Sequence, residues 1–360
     1  MQPPPLRIFR PPTRVPALLL GFALLSAPAP IAATQPPDDP LQSAISLFRA
    51  GKVREAEPLL QQAVERNPQD PVAHFYLGQL LLTQHRLEEA ERHLLASLKL
   101  RPSYAPLHYA LSHLYVERGQ LDEALAAALR SLELAPGSGL QHYQVALVLQ
   151  QMGRRGDAVL HFMQVSKAGP PNESAAHDAG VALFDAAEYT PATSAFEAAV
   201  RYNPRNVRAL NYLGACYRLK GWNEKAYEVY SRALAIDAEN PISYYGMGVV
   251  HTKRGETIEA RQMLERSLSI DEKNAYAHYK LGKLLLQSGD MAGAVRRLER
   301  ALELQPKLNN VRYNLGLAYL RLGDEERGSA TLARFQEIKK KEQSKQFEGG
   351  VRTAIPEDEL

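Results

Sequence analysis

The sequence predicts an all-α protein, an α-solenoid built from antiparallel pairs of helices. From residue 37 to residue 342 the chain divides into nine consecutive blocks of 34 residues, with no insertion or deletion. The same block positions carry small residues, glycine or proline, and apolar residues recur at the i, i+3, i+4 spacing of one helix face. A fixed period of this length is typical of stacked supersecondary repeats.

Each block is interpreted as one repeat, and positions are numbered 1 to 34 within it. The repeats are 37–70, 71–104, 105–138, 139–172, 173–206, 207–240, 241–274, 275–308 and 309–342.

Small residues occupy two positions where the paired helices must approach each other closely. Position 8 is Gly, Ala or Ser in every repeat, and position 20 is Ala in eight repeats and Gly in the ninth. Two helices can come close only where their side chains are small, so these positions predict the contact between the first and second helix. Bulky residues at positions 7, 11 and 24 fill the surrounding space.

Glycine at position 15 predicts the turn between the two helices, because a left-handed backbone favours glycine. His85 and Ala187 are the two exceptions. Proline at position 32 predicts the end of the second helix, although Ala238 and Glu272 replace it in repeats six and seven.

The starts of several first helices carry a recognisable cap. Asp39–Pro40, Asp70–Pro71 and Asn240–Pro241 each combine an N-cap residue with proline at the first helical position. The second helix of the last repeat is expected to continue as a capping helix over 337–346, because that run is polar and charged. Residues 347–360 lack periodicity and are expected to form a flexible tail.

This combination of period, turn, small residues and proline resembles the tetratricopeptide repeat (TPR) family. The resemblance implies helix–turn–helix units stacked into a right-handed superhelix, in which the first helix of each unit lines a concave groove. It also implies that positions 2, 5, 6, 9, 12 and 13 of the first helix face that groove.

Aromatic and polar residues at these positions are the candidate peptide-binding residues. Position 5 is aromatic in six repeats, and such rings offer a large contact area. The candidates are Phe75, Tyr109, Tyr143, Arg208, Asn211, Arg218, Tyr245, Lys253, Tyr279, Lys280, Lys283, Tyr313 and Arg321.

Charge on the groove positions changes sign along the chain. In repeats one to five these positions carry Asp38, Glu117, Asp178 and Asp185 against Arg49, a sum of −3. In repeats six to nine they carry six cations and no acid, a sum of +6. We therefore expect the C-terminal half of the groove to receive an acidic peptide, a C-terminal carboxylate or another anionic group.

The N-terminus is predicted to be a signal peptide over residues 1–33, followed by a linker at 34–36. A basic segment, an apolar stretch from about Val15 to Leu25 and a run of small residues follow one another, with cleavage expected after Ala33. The prediction is therefore an exported protein, periplasmic or extracellular. The alternative is a membrane anchor formed by residues 15–33.

Composition excludes several classes of protein. The chain has 360 residues, 45% of them apolar and 23% charged, values that are ordinary for a globular protein. The net charge of +3 comes from Arg7, Arg10 and Arg14 in the leader, so the remainder is neutral and general nucleic-acid binding is not expected. The lone Cys216 is expected to be a buried thiol.

No phosphate-binding loop, HExxH, GxSxG or CxxC motif occurs, so neither catalysis nor a cofactor is expected. His74, His108, His142 and His278 share position 4, and we expect them to fill a half-buried helix position rather than bind metal. The prediction is a non-catalytic exported scaffold that binds a peptide or protein segment. The alternatives are a membrane-tethered envelope assembly factor and an accessory subunit of an enzyme carried on another chain.

Overall fold

The structure, a computed structural model, describes residues 39–349, and the side chains of residues 39–344. These residues form eighteen α-helices and no strand, which confirms the all-α solenoid. The predicted leader 1–33, the linker 34–36 and residues 350–360 of the predicted tail lie outside the described residues. None of the helices within 39–349 combines the length and apolar character needed to cross a membrane.

The described residues divide into two compact units, 39–179 and 180–349. The helices are α1 Pro40–Arg49, α2 Val53–Arg66, α3 Pro71–Thr83, α4 Leu87–Leu100, α5 Ala105–Glu117, α6 Leu121–Leu134, α7 Gly139–Gln151, α8 Arg155–Ala168, α9 Glu173–Asp185, α10 Tyr189–Tyr202, α11 Val207–Leu219, α12 Asn223–Ile236, α13 Pro241–Arg254, α14 Thr257–Ile270, α15 Ala275–Ser288, α16 Met291–Leu304, α17 Asn309–Arg321 and α18 Glu325–Gly349.

Odd-numbered helices are the first helices of the repeats, and even-numbered helices are the second. Within each unit a first helix packs on the second helix of its own repeat and on that of the preceding repeat, as α15 packs on α16 and on α14. Successive first helices also contact one another, α11 with α13 and α13 with α15. The first helices therefore form one continuous face of each unit, and a second helix lies on the other side of each first helix.

The close approach predicted at position 8 is present. A Cβ atom at Gly282 would lie 2.7 Å from Cγ of Leu298, at position 24 of the same repeat, and one at Gly214 would lie 2.6 Å from Cζ of Tyr230. These separations are far below van der Waals contact, so the large residue at position 24 occupies the space that glycine leaves. Ser112 replaces glycine in repeat three, where position 24 is the small Ala128.

The turn between paired helices keeps a left-handed residue even where glycine is missing. The glycines at position 15 have φ between 72° and 93°, and His85 and Ala187 adopt φ of 57° and 63° at the same place. A residue with a Cβ atom is strained in this region by roughly 1–2 kcal/mol. Tertiary packing therefore imposes the turn on sequences that do not favour it.

In repeats one to eight the second helix ends at position 30, with or without proline at position 32. α12 ends at Ile236 and α14 ends at Ile270, although these repeats carry Ala238 and Glu272. The side chain of Asp237 accepts a hydrogen bond from the amide of residue 239, and Asp271 accepts one from the amide of residue 273. Asn67 and Asn203 make the same side-chain turn in repeats that keep the proline, so this turn follows the helix end with or without it.

The predicted N-caps are confirmed at all three starts. Oδ1 of Asp70 accepts from the amide of Val72 at 2.8 Å, and Asp39 and Asn240 cap α1 and α13 in the same way. Each bond satisfies an amide that has no partner within its helix.

The last helix is longer than its repeat. α18 is continuous from Glu325 to Gly349, three residues beyond the predicted capping segment 337–346. Glu337 pairs with Arg334 and with Lys341, and pairs spaced three and four residues apart stabilise a solvent-exposed helix.

The close approach leads to a stability prediction. We expect Gly282→Ala to lower the free energy of unfolding by about 1–3 kcal/mol, because its Cβ would overlap Leu298. Gly156→Ala is the control, because nothing lies within 4 Å of its Cβ. That change should raise stability by up to about 1 kcal/mol. Hydrogen exchange of the α15 and α8 amides measures both, and unchanged exchange in α15 would contradict the prediction.

The strained turn leads to a second prediction. Ala187→Gly should raise the melting temperature, since it relieves about 1 kcal/mol of left-handed strain. Ala186→Gly, one residue earlier and outside the left-handed region, should lower it, because glycine only adds freedom to the unfolded chain. If both changes had the same sign, strain at Ala187 would be disproved.

Candidate functional site

The first-helix face of residues 180–349 carries the predicted cations at intervals along four helices. Arg208 and Arg218 lie on α11, Lys253 near the end of α13, Lys280 and Lys283 on α15, and Arg321 at the end of α17. Lys253 and Arg321 are exposed, Arg208, Lys280 and Lys283 are half-buried, and Arg218 is buried.

Four of these cations can be described by their contacts. Lys253 and Lys283 make no ion pair among residues 39–344. Nη1 of Arg321 donates to the carbonyl of Leu286 at 3.4 Å, and Nζ of Lys280 lies 5.5 Å from the ring centroid of Tyr279. Neither of these two contacts neutralises the charge of the side chain.

Three candidate residues come together around one buried slot. Asn211, Arg218 and Tyr245 line a cavity of about 10 Å³, room for about one water molecule, beside the ring of Tyr230. Burial raises the pKa of the Tyr230 hydroxyl, and the charge of Arg218 and its hydrogen bond oppose that rise. The slot is therefore a tightly packed polar contact with no room for a ligand larger than water.

Asn211 joins two consecutive repeats. Its Nδ2 donates to Oδ1 of Asn240 at 3.0 Å, and its Oδ1 accepts from Oγ of Ser243 at 2.6 Å. Asn240 also caps α13 through the amide of Ser243. The side chain of Asn211 is thus engaged by the next first helix.

The aromatic rings at position 5 lie mostly inside the stack. Relative exposure is 7% or less at five of the six positions: Phe75, Tyr109, Tyr143, Tyr245 and Tyr279. The expectation that these rings offer a large contact area to a ligand is therefore wrong for the five. Any binding role of the thirteen candidate residues stays a prediction.

Two of the buried position-5 tyrosines contact the next repeat through their hydroxyl groups. The hydroxyl of Tyr143 donates to Oδ2 of Asp178 at 2.8 Å, and Nδ2 of Asn314 donates to the hydroxyl of Tyr279 at 3.4 Å. Both partners occupy position 6 of the following repeat. Tyr313, at position 5 of the ninth repeat, is 45% exposed, and its ring centroid lies 5.4 Å from that of Phe335 on α18.

The predicted acidic groove residues divide between the two units. Glu117 lies 3.6 Å from Nδ1 of His85, and Asp178 is bound to Tyr143. Asp185 belongs to the unit 180–349, so the first-helix face of that unit carries an acid at its N-terminal end. Asp38 lies outside the described residues.

Histidines at position 4 make an arrangement that the sequence reasoning missed. Nδ1 of His74 lies 3.0 Å from Nδ1 of His93, and His142 and His161 form the same 3.0 Å contact. The ring centroids are 5.2 and 5.3 Å apart, as expected when the two nitrogens point at each other in a hydrogen bond. The 19-residue spacing in two repeats was the signal available in the sequence.

No group of three or more His, Cys, Asp or Glu side chains within residues 39–344 could hold a metal ion. Cys216 is fully buried, and burial raises the pKa of its thiol to about 12, which confirms the expectation of a buried thiol. A thiol held in its protonated form is a poor nucleophile.

The packing role of position 5 can be tested on two tyrosines at the same repeat position. Tyr279→Ala should lower the free energy of unfolding by about 3–5 kcal/mol, because a buried ring leaves a cavity. Tyr313→Ala should cost clearly less, since its ring is half exposed. Hydrogen exchange of the α15 and α17 amides measures the two losses of stability. Equal losses would refute the packing role of the buried tyrosine at position 5.

Comparison with known proteins gives matches to one repeat family. Family models described as tetratricopeptide repeat match residues 41–105, 81–139, 242–274 and 310–342, and one described as TPR repeat matches 216–255 and 282–323. Together these ranges span more than half of the chain. No curated protein sequence matches the chain.

Solved structures of helical repeat proteins are similar at low sequence identity. A crystal structure of MamA is 23% identical, with TM-score 0.40, over 46% of this chain and 96% of its own. The APC/C hetero-tetramer Cut9-Hcn1 is 15% identical, with TM-score 0.42, over 78% of this chain and 55% of its own. YrrB, described as a TPR protein with an unusual peptide-binding site, is 19% identical, with TM-score 0.33, over 61% and 95%.

The helix pairs, the close contact at position 8 and the left-handed turn at position 15 agree with the repeat models that match the sequence. The chain therefore belongs to the tetratricopeptide repeat family.

Proposed function

We propose that this chain is a non-catalytic scaffold whose first-helix face in residues 180–349 binds an acidic segment of a partner protein. The observation that carries the proposal is the run of cations from α11 to α17, where the groove positions hold no acid. Such a one-signed surface attracts an oppositely charged segment and speeds its association.

The accessibility of the cations supports an extended ligand. Lys253 and Arg321 are exposed at the ends of α13 and α17, and Lys283 is half-buried on the helix between them. The buried rings of Tyr245 and Tyr279 hold these helices together and leave no deep apolar pocket beside them. A segment lying across the helices would contact the cations without entering the core.

We also propose that the chain is exported. The supporting feature is the order of basic, apolar and small residues over 1–33, which is typical of a signal peptide. Mass spectrometry of the mature protein checks this: an N-terminus at Thr34 is expected, and an intact Met1 would support a retained anchor instead.

Charge reversal on α15 tests the acidic partner. Lys280→Glu with Lys283→Glu should weaken binding of a labelled Asp- and Glu-rich peptide by about tenfold or more, since two attractions become repulsions. Fluorescence anisotropy measures the affinity, and added salt should weaken wild-type binding.

The control makes the same change of charge elsewhere. Lys273→Glu with Lys307→Glu alters two exposed residues in the loops before α15 and α17. This control should retain nearly the wild-type affinity. Equal losses of affinity in both variants would show that only the overall charge matters. Unchanged affinity in the α15 variant would contradict the proposal.

A further inference from the structure

A second concave feature lies among the second helices of the same unit. A cavity of about 290 Å³ opens between α14 and α16, with buried residues of α15 at its base. This is far more space than one water molecule needs and lies near the lower end of the range for small-molecule sites, about 300 Å³. None of the thirteen candidate groove residues lines it.

Four arginines line this cavity. Arg261 comes from α14, and Arg296, Arg297 and Arg300 come from α16. Nε of Arg261 pairs with Glu265 at 2.9 Å, and Arg300 pairs with Glu303 at 2.9 Å. Arg296 and Arg297 make no ion pair among residues 39–344, so two guanidinium charges there have no carboxylate counterion.

Three acids also line the cavity, and two of them have a separate role. Glu265 pairs with Arg261, and Oδ1 of Asp290 caps α16 by accepting from the amide of Gly293 at 2.8 Å. Glu272 lies in the loop before α15, where its side chain is exposed. None of the three acids forms an ion pair with Arg296 or Arg297, and the four arginines of the lining exceed its acids by one positive charge.

A buried imidazole lies at the base. His278 is 2% exposed, and its Nε2 lies 3.0 Å from the carbonyl of Glu272. A carbonyl only accepts, so Nε2 carries the proton and donates it. Nδ1 of the same ring is buried and has no hydrogen-bond partner among the described residues. Leaving a buried polar atom unsatisfied is costly, which points to a missing partner.

In two other repeats, a second histidine satisfies the Nδ1 atom of the histidine at position 4. Position 23 supplies a histidine whose Nδ1 meets that of His74 or His142 at 3.0 Å. In repeat eight the residue at position 23 is Arg297. Because repeat eight has arginine instead of histidine at position 23, Nδ1 of His278 lacks this partner and a guanidinium group lies nearby.

We propose that this cavity binds the phosphate dianion of a small phosphorylated compound or of free phosphate, through Arg296, Arg297 and His278. Two guanidinium groups without an ion-pair partner are available to the ligand, and planar guanidinium forks suit phosphate oxygens. Arg300 lies one turn further along α16 and completes the cationic wall.

Proton uptake at His278 accompanies binding. Burial lowers the pKa of His278, and the bond to the Glu272 carbonyl raises it. The charges of Arg297 and Arg300 lower this pKa further, and the Glu272 carboxylate raises it. The ring is therefore neutral in the empty site at neutral pH. A bound dianion beside the ring favours the imidazolium form, so binding strengthens as the pH falls.

Titration of the full chain with inorganic phosphate and with a sugar monophosphate tests the site and distinguishes the two sources. Calorimetry at constant ionic strength, with the unphosphorylated sugar as blank, gives the affinities. Arg296→Gln with Arg297→Gln should weaken binding by about tenfold or more. Arg92→Gln with Arg232→Gln removes two exposed charges from other second helices and should leave binding within about twofold of wild type.

His278 has its own matched control. His278→Gln should weaken binding and abolish its strengthening at lower pH, measured with sulfate because sulfate does not titrate in this range. The control is His108→Gln at the same repeat position, where Nε2 lies 2.7 Å from the carbonyl of Pro102. This control should alter neither the affinity nor its pH dependence. Wild-type protein that binds no phosphate, or equal losses in the site and control variants, would overturn the proposal.

Discussion

The contact between the two helices of each repeat is the constraint on which the structure depends. A side chain at position 24 fills the space above a small residue at position 8, as Leu298 does over Gly282 and Tyr230 over Gly214. In repeat three Ser112 is combined with the small Ala128, whereas repeats one and four combine Ala44 with Leu60 and Ala146 with Phe162. Packing at this distance leaves little tolerance for an added methyl group.

This contact determines which side chains remain for binding. Once the helices of a repeat are held together, the rings at position 5 face the next repeat and become buried, as Tyr143 and Tyr279 do. On the first-helix face of residues 180–349, the exposed or half-buried cations Lys253, Lys280, Lys283 and Arg321 are then left. In the proposed function, partner recognition depends chiefly on charge and position on this surface.

On the second-helix side, the repeats differ in the hydrogen bonds of the histidine at position 4. Position 4 of the first helix reaches back to the carbonyl at the end of the preceding repeat, through His74, His108 and His278 alike. What distinguishes the repeats is the residue at position 23, which satisfies the other ring nitrogen in two of them. Repeat eight lacks this partner, and the 290 Å³ cavity lies there.

The sequence by itself determined the period, the helix pairs, the caps and the close contact, because these depend on local chemistry that recurs every 34 residues. It did not determine which candidate residues are accessible. Tyr279 and Tyr313 occupy the same repeat position, yet one is 3% exposed and the other 45%. Likewise Ala187 adopts the turn of a glycine. Only the tertiary structure decided these points, because burial and backbone strain at a residue depend on the neighbouring repeat that packs against it.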